Sequence, residues 1–266
     1  MNSLLVESGF QIVPSVLAVH EVEALRDALS EFAVAPGHRR LMERVPQIAA
    51  LATASRVIEL LTSLTGGVPF PVRSIFFDKT PEANWLVPWH QDLSIAVKAK
   101  QEVPGYGPWS MKEGVPHVQP PDEMLEAMIT FRLHLDDCDE SNGVLRVIPG
   151  SHRRGRLSAA QIAEIRRNEK EVMCSARAGD VLLMRPLLLH ASSQATVPNH
   201  RRVVHLEYAM QALAGGLDWA ETVVPSRGGF DDLPSSSEIH RAPQLGTAAA
   251  TYCHEDGMPP AELRCG

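Results

Sequence analysis

The sequence predicts a mainly β protein, an antiparallel sandwich or jelly roll with a helical layer at its N-terminus. Helical periodicity is confined almost entirely to the first part of the chain, and a series of short β-prone runs follows it. The 18 glycines and 20 prolines are spread along the 266 residues, which favours many short elements joined by turns. Helices in front of strands, rather than between them, are the wrong order for parallel βαβ repeats. A hydrophobic fraction of 44% supplies a full core, and no linker or composition break divides the chain. One domain is therefore expected over residues 1–266.

Residues 9–13 form a β-prone run stopped by Pro14. Over residues 20–32, Val22, Leu25, Leu29 and Phe32 share one helical face, and Pro36-Gly37 closes it. A second helix is expected over residues 46–64, with Pro46 at its start and Gly66-Gly67 beyond its end. Its face is Ile48, Leu51, Ile58, Leu61 and Leu64. After Gly67 the period changes, and strands are expected over 72–78, 86–94, 127–135, 143–148, 171–177, 180–184, 187–191 and 201–208. One further helix fits between them, from Ser158 as N-cap to Glu169. The Gly- and Pro-rich segment 104–121 reads as a long loop over the mouth of the barrel. The tail, residues 228–266, is rich in Ser, Pro and Ala and gives no structural reading.

A formal charge of −7 argues against a nucleic-acid partner. Four cysteines are too few for a disulfide framework at this length. The opening residues do not read as a signal peptide, and no apolar run reaches the ~18 residues of a membrane span. The expectation is a cytoplasmic protein with reduced thiols, acting on a small molecule without nucleic-acid or membrane partners.

The strongest chemical signal is Trp89-His90-Gln91-Asp92. In a strand His90 and Asp92 point to one face, where an imidazole and a carboxylate can share a metal. A His-x-Asp pair alone is more often a hydrogen-bonded surface pair. A third ligand is available in His190, which ends the apolar run 181–189. Two histidines and one carboxylate on one face of a metal form the facial triad of non-haem Fe(II) oxygenases. Arg201 follows at the start of a clean strand. If Arg201 faces inward, so do Val203, His205 and Glu207, while Arg202, Val204, Leu206 and Tyr208 suit packing on a helix. An inward guanidinium offers a two-pronged donor for a carboxylate.

These features together, His90-Gln91-Asp92, the run Asn142-Gly143-Val144-Leu145-Arg146-Val147-Ile148-Pro149-Gly150-Ser151-His152, and His190 with Arg201, resemble the phytanoyl-CoA dioxygenase family. The opening Gly9-Phe10-Gln11-Ile12-Val13-Pro14 and the helix after it resemble that family's N-terminus, so the likeness spans roughly residues 9–210. The resemblance implies a double-stranded β-helix, the cupin-like form of jelly roll, with the helical layer packed on one sheet. It implies Fe(II) held by His90, Asp92 and His190, with 2-oxoglutarate and O2 as cosubstrates and ascorbate as a supporting reductant. Arg201 then binds the distal carboxylate of 2-oxoglutarate with help from Ser192, and Arg202 competes for that role. Gln91, Trp109 and Ile75 match positions near the cosubstrate. Asp92 stands where related halogenases carry a small residue, which favours oxygenation over halogenation.

Substrate contacts are expected from the strand in which Thr130, Arg132, His134 and Asp136 alternate with apolar residues. Arg132 and His134 would line the barrel and receive a polar or acidic substrate, and His205 follows Arg201 on the same face. The basic cluster 152–156 reads as a solvated loop, and Cys253-His254 with Cys265 lacks a metal-site spacing. The expected function is hydroxylation of a small organic molecule in secondary or specialised metabolism. The alternatives are desaturation, cyclisation or epoxidation by the same cofactors, or a metal-binding cupin without oxygenase activity, which Arg201 and Ser192 disfavour.

Overall fold

The structure, a computed structural model, describes residues 3–32 and 37–223. In chain order these form α1 (Ser3–Ser8), β1 (Phe10–Val13), α2 (Val19–Ala28), β2 (His38–Arg39), α3 (Leu41–Arg44), α4 (Pro46–Thr53), α5 (Ser55–Thr65) and β3 (Phe70–Lys79). Then come β4 (Val87–His90), β5 (Ile95–Ala96), β6 (Trp109–Lys112), β7 (Val115–Val118), α6 (Asp122–Ala127), β8 (Ile129–His134) and β9 (Leu145–Val147). The last elements are α7 (Ala159–Asn168), β10 (Val172–Met173), β11 (Val181–Met184), β12 (His190–Ser192) and β13 (Arg201–Ala209). The expectations for Pro36, for the tail and for Cys253, His254 and Cys265 lie outside the described residues.

The strands pair antiparallel in three sheets: a six-stranded one in the order β1-β11-β8-β13-β3-β2, a four-stranded one in the order β10-β9-β12-β4, and a small one in the order β5-β7-β6. One face of the six-stranded sheet meets the helical layer. Phe76, Phe131, Leu133, Val204, Leu206 and Tyr208 are buried there with Leu25, Ile48, Leu51, Val57 and Leu61. Each such side chain contributes about 1.5–3 kcal/mol by leaving water. The Tyr208 hydroxyl donates to the carbonyl of Ala52 at 3.0 Å and satisfies the one polar atom that its ring brings into this core. The other face carries Ile75, Arg132, Arg201 and His205. They share a cavity with His90, Leu145, His190 and Ser192 of the four-stranded sheet. This is the expected double-stranded β-helix with an outer helical layer.

The helix expected over 46–64 is two helices, bent by 43° at Ala54. At about 100° per residue, Val57, Leu61 and Leu64 would fall on the opposite side of a continuous helix from Ile48, Leu51 and Ala52. Extended backbone at Ala54 (ψ 135°) resets the phase, so both sets reach the core. Gly66, with φ 74°, ends α5 as expected. Ser158 is the N-cap of α7, reciprocated by Gln161 in a capping box. The strand expected over 86–94 stops at His90, because the backbone N–H of Asp92 turns to Pro186 O at 2.9 Å instead of the ladder. Of the run 171–177, only Val172–Met173 is strand, with one isolated bridge at Ala176.

Segment 104–121 is not a plain loop. It contains the hairpin β6–β7, closed by Glu113 and Gly114 at φ 50° and 75°, the positive pair of a type I′ turn. Helix α6, with Asp122 and Glu123 in its first turn, follows it.

Candidate active site

His90 ends β4 and His190 opens β12, directly opposite each other in the register. The turn after His90 carries Asp92 back toward both. Asp92 Oδ1 is 3.7 Å from His90 Nε2, and its Oδ2 is 3.6 Å from His190 Nε2. The three ligand atoms lie within 4.8 Å of one another. Two ligands each about 2.1 Å from a shared ion stand at most about 4.2 Å apart, so the carboxylate already sits at metal-sharing distance from both rings. The backbone fixes the tautomers: His90 Nδ1–H donates to Pro88 O and His190 Nδ1–H to Leu188 O, each at 2.8 Å. Both Nε2 lone pairs are thereby left for a cation. Burial and the His90 ring hold His190 down to about 4, against the pull of Asp92. Burial alone would raise the Asp92 carboxyl, but His190, His90, His205 and Arg73 together hold it well below the usual range. The donor set is neutral imidazole, neutral imidazole and carboxylate, which fits a divalent transition metal.

The triad forms part of the wall of a cavity of about 300 Å³. Across it, β3 and β13 run side by side with Arg201 opposite Lys79, Val203 opposite Phe77, His205 opposite Ile75 and Glu207 opposite Arg73. At one end, Arg201 is 4% exposed; it donates from Nη1 to Gly143 O, while its Nε has no hydrogen-bond partner among the described residues. Lys79 beside it donates to Ser193 O at 2.6 Å and to Ser192 Oγ at 3.2 Å. Burial, then Arg201, pushes the lysine down to about 7. Cationic donors in excess at this end suit an anion. In the middle, Arg132 Nη1 donates to His205 Nδ1 at 2.7 Å, and His205 Nε2–H donates to Glu207 at 3.2 Å. Arg73 closes this chain onto Glu207 at 2.9 Å.

The structure thus brings His90, Asp92, His190, Arg201, Ser192, Ile75, Arg132 and His205 around one cavity. Gln91 also borders it, but its amide is committed to backbone. It donates to Gly155 O and Leu187 O and accepts from the N–H of Leu157. Two of the expected contacts need correction. Trp109 does not line the cavity: its pairing with Val118 turns the indole into an apolar cluster with Val97, Met124 and Trp219. His134 does not line it either. It is 2% exposed, with neither ring nitrogen hydrogen-bonded among the described residues, and burial and Arg132 push it down to about 3. Arg202 points to the outer side, where Asp136 takes its Nε and Nη2 at 2.9 and 2.7 Å. Sequence reasoning passed over Arg73 and Phe77, which line the cavity, and Lys79 beside Arg201, although period-two alternation from Ile75 names all three. Trp85, Arg39 and Lys112 also line the cavity, and no local motif marks them.

Residues 5–203 match the sequence model of the phytanoyl-CoA dioxygenase (PhyH) family. No curated protein sequence matches the chain. Among solved structures, EctD from S. alaskensis with bound Fe is 18% identical, over 86% of this chain and 86% of that one, at a TM-score of 0.65. SnoK, the non-heme alpha ketoglutarate dependent carbocyclase from nogalamycin biosynthesis, is 19% identical over 78% of this chain and 81% of its own, at 0.60. HygX from Streptomyces hygroscopicus, with nickel and 2-oxoglutarate bound, is 17% identical over 79% and 86%, at 0.56. At these identities the likeness shows a shared fold. The family match runs from α1 into β13 and takes in His90, Asp92, His190 and Arg201, so the chain belongs to the phytanoyl-CoA dioxygenase family.

Proposed function

We propose that the protein is an Fe(II)/2-oxoglutarate-dependent oxygenase that hydroxylates a small organic molecule in specialised metabolism. The observation that carries this reading is the pairing of two features in one cavity: three convergent ligand atoms on one wall, and at one end the buried guanidinium of Arg201, with the Lys79 amine behind it on Ser192 and Ser193. His90, Asp92 and His190 hold Fe(II) through Nε2, a carboxylate oxygen and Nε2. Arg201, Lys79 and Ser192 bind the distal carboxylate of 2-oxoglutarate. Iron with 2-oxoglutarate bound supplies the O2-dependent oxidation, and ascorbate keeps the metal reduced. The protein's own part is to fix tautomers, orient the diacid and keep water out with Ile75, Phe77, Trp85 and Leu93. EctD, which shares the fold, has been solved with 2-oxoglutarate and 5-hydroxyectoine. The buried free thiols of Cys138 and Cys174 fit a cytoplasmic setting.

The test is succinate release from 2-oxoglutarate by the purified protein with Fe(II), ascorbate and O2, alongside anaerobic 2-oxoglutarate binding. Both should require Fe(II), and both should be lost or strongly weakened in His90→Ala, Asp92→Ala and His190→Ala. A protein that binds no 2-oxoglutarate in the presence of Fe(II) would return the reading to a metal-binding cupin without oxygenase activity.

A further inference from the structure

We infer that the substrate is an organic acid, a carboxylate or a phosphate ester, whose anionic group is held at the cavity mouth by Lys112 and Arg73. This rests on the proposed function, which places 2-oxoglutarate at the Arg201 end. β3 carries Arg73, which lines the cavity, at one end and Lys79, opposite Arg201, at the other. Six residues of strand separate them, about 20 Å at ~3.4 Å per residue. A short diacid anchored at Arg201 and chelating a metal at His90, Asp92 and His190 cannot also reach Arg73. The cavity therefore has a second charged pole with no cosubstrate to serve it.

That pole carries surplus positive charge. Three cations border it, Arg39, Arg73 and Lys112, and two carboxylates answer them. Arg39 pairs with Glu113 at the tip of the β6–β7 hairpin, and Arg73 with Glu207. Lys112 has no ion-pair partner among the described residues, and the buried Nε of Arg73 has no hydrogen-bond partner. Lys112 is exposed at the rim of the cavity, with its amine partly covered; that covering, then Arg73 and Arg39, lowers its pKa, and an anion between the two side chains would offset the repulsion. The chain as a whole is acidic at −7, so a basic mouth is a local feature rather than a spillover of net charge. Phe77, between Arg73 and Lys79 on β3, and Leu93 offer apolar lining, which gives the acid an apolar body.

The experiment is anaerobic calorimetry on the Fe(II)·2-oxoglutarate enzyme with matched pairs of probes. Linear carboxylic acids of butyrate to decanoate length are compared with their primary amides, and the corresponding alkyl phosphates with their alcohols. In at least one series the acid should bind about tenfold or more tighter than its neutral partner, the return of one charge-assisted contact. The series that shows the preference identifies the group as carboxylate or phosphate. Lys112→Glu should abolish the preference, and Lys112→Arg should retain it. Equal binding of acid and neutral partner, no binding by any acid, or an acid preference that survives Lys112→Glu overturns the inference. A wild type that fails to bind 2-oxoglutarate overturns the functional reading itself; one that binds it without preferring acids overturns this inference alone.

Discussion

Replacing Arg201 by alanine tests the cosubstrate end of the cavity, and the structure sets the size of the effect. A guanidinium fork on a carboxylate makes two charge-assisted hydrogen bonds, each worth about 1.5–3 kcal/mol. Taken alone, that predicts a loss of about 3–6 kcal/mol, or two to four powers of ten. Lys79 lowers this figure. Its amine stands opposite Arg201 in the register and is pushed down to about 7 by burial and by Arg201 itself. Without Arg201 the lysine holds its proton more firmly and offers one ammonium contact in place of the fork. The expected net loss is about 1.5–3 kcal/mol, a ten- to hundredfold weaker 2-oxoglutarate dissociation constant. Anaerobic calorimetry of the Fe(II) protein measures it. Arg201→Ala with Lys79→Ala should lose a further factor of about ten or more, and Arg201→Lys should recover only part. Arg202→Ala should leave cosubstrate affinity unaltered, because its side chain is committed to Asp136 on the outer side of the sheet. If Arg202→Ala weakens binding and Arg201→Ala does not, the inward register of β13 is wrong. If neither does, the 2-oxoglutarate assignment of this pole fails.

Three other expectations concern stability. His134 is held neutral in the fold, down to about 3, against 6.5 in an exposed histidine, and so gains its charge only on unfolding. Its contribution to stability is intact above pH 6.5 and is lost as pH falls from there toward 3; His134→Leu should flatten this acid limb in melting curves, and an unchanged limb refutes the assignment. Glu221, 2% exposed and hydrogen-bonded by the N–H and hydroxyl of Ser74, is pushed up to about 7 by burial. The fold therefore holds this proton where the unfolded chain releases it, and stability falls by about 3 kcal/mol as pH rises from about 4.5 to about 7. Glu221→Gln should raise the melting temperature at pH 8 and not at pH 4.5; equal effects at both contradict the reasoning. Gln91→Ala strands two carbonyls and one N–H and should cost about 2–4 kcal/mol in denaturant unfolding; a cost near zero would free Gln91 for a direct cosubstrate contact.

His90 and Asp92 are legible as a pair by residue type and spacing, but a turn after β4 and not strand alternation brings Asp92 to the rings. The inward face of Arg201, Val203, His205 and Glu207 is legible in the chain because β13 is a strand with period two. The same rule applied from Ile75 reaches Arg73, Phe77 and Lys79. What local pattern could not supply is tertiary. Trp109 has the composition of a cavity residue, but the pairing of β6 with β7 decides where its ring goes, and that pairing rests on a Glu113-Gly114 turn without the usual Asn-Gly or Asp-Gly signal. His134 alternates correctly with Arg132, yet it is covered while Arg132 reaches the cavity. The break at Ala54 is readable in principle: the face expected over 46–64 drifts from Ile48 to Leu64 by about half a turn, and Val57, which is buried, is out of phase with Ile48.

The most direct test of the account is a crystal structure of the protein grown anaerobically with Fe(II) and 2-oxoglutarate. The account predicts one iron about 2.1 Å from His90 Nε2, an Asp92 oxygen and His190 Nε2, with the far carboxylate of 2-oxoglutarate on Arg201 and Lys79. Iron bound elsewhere, or the far carboxylate lying on Arg73 and Lys112 instead, would contradict it.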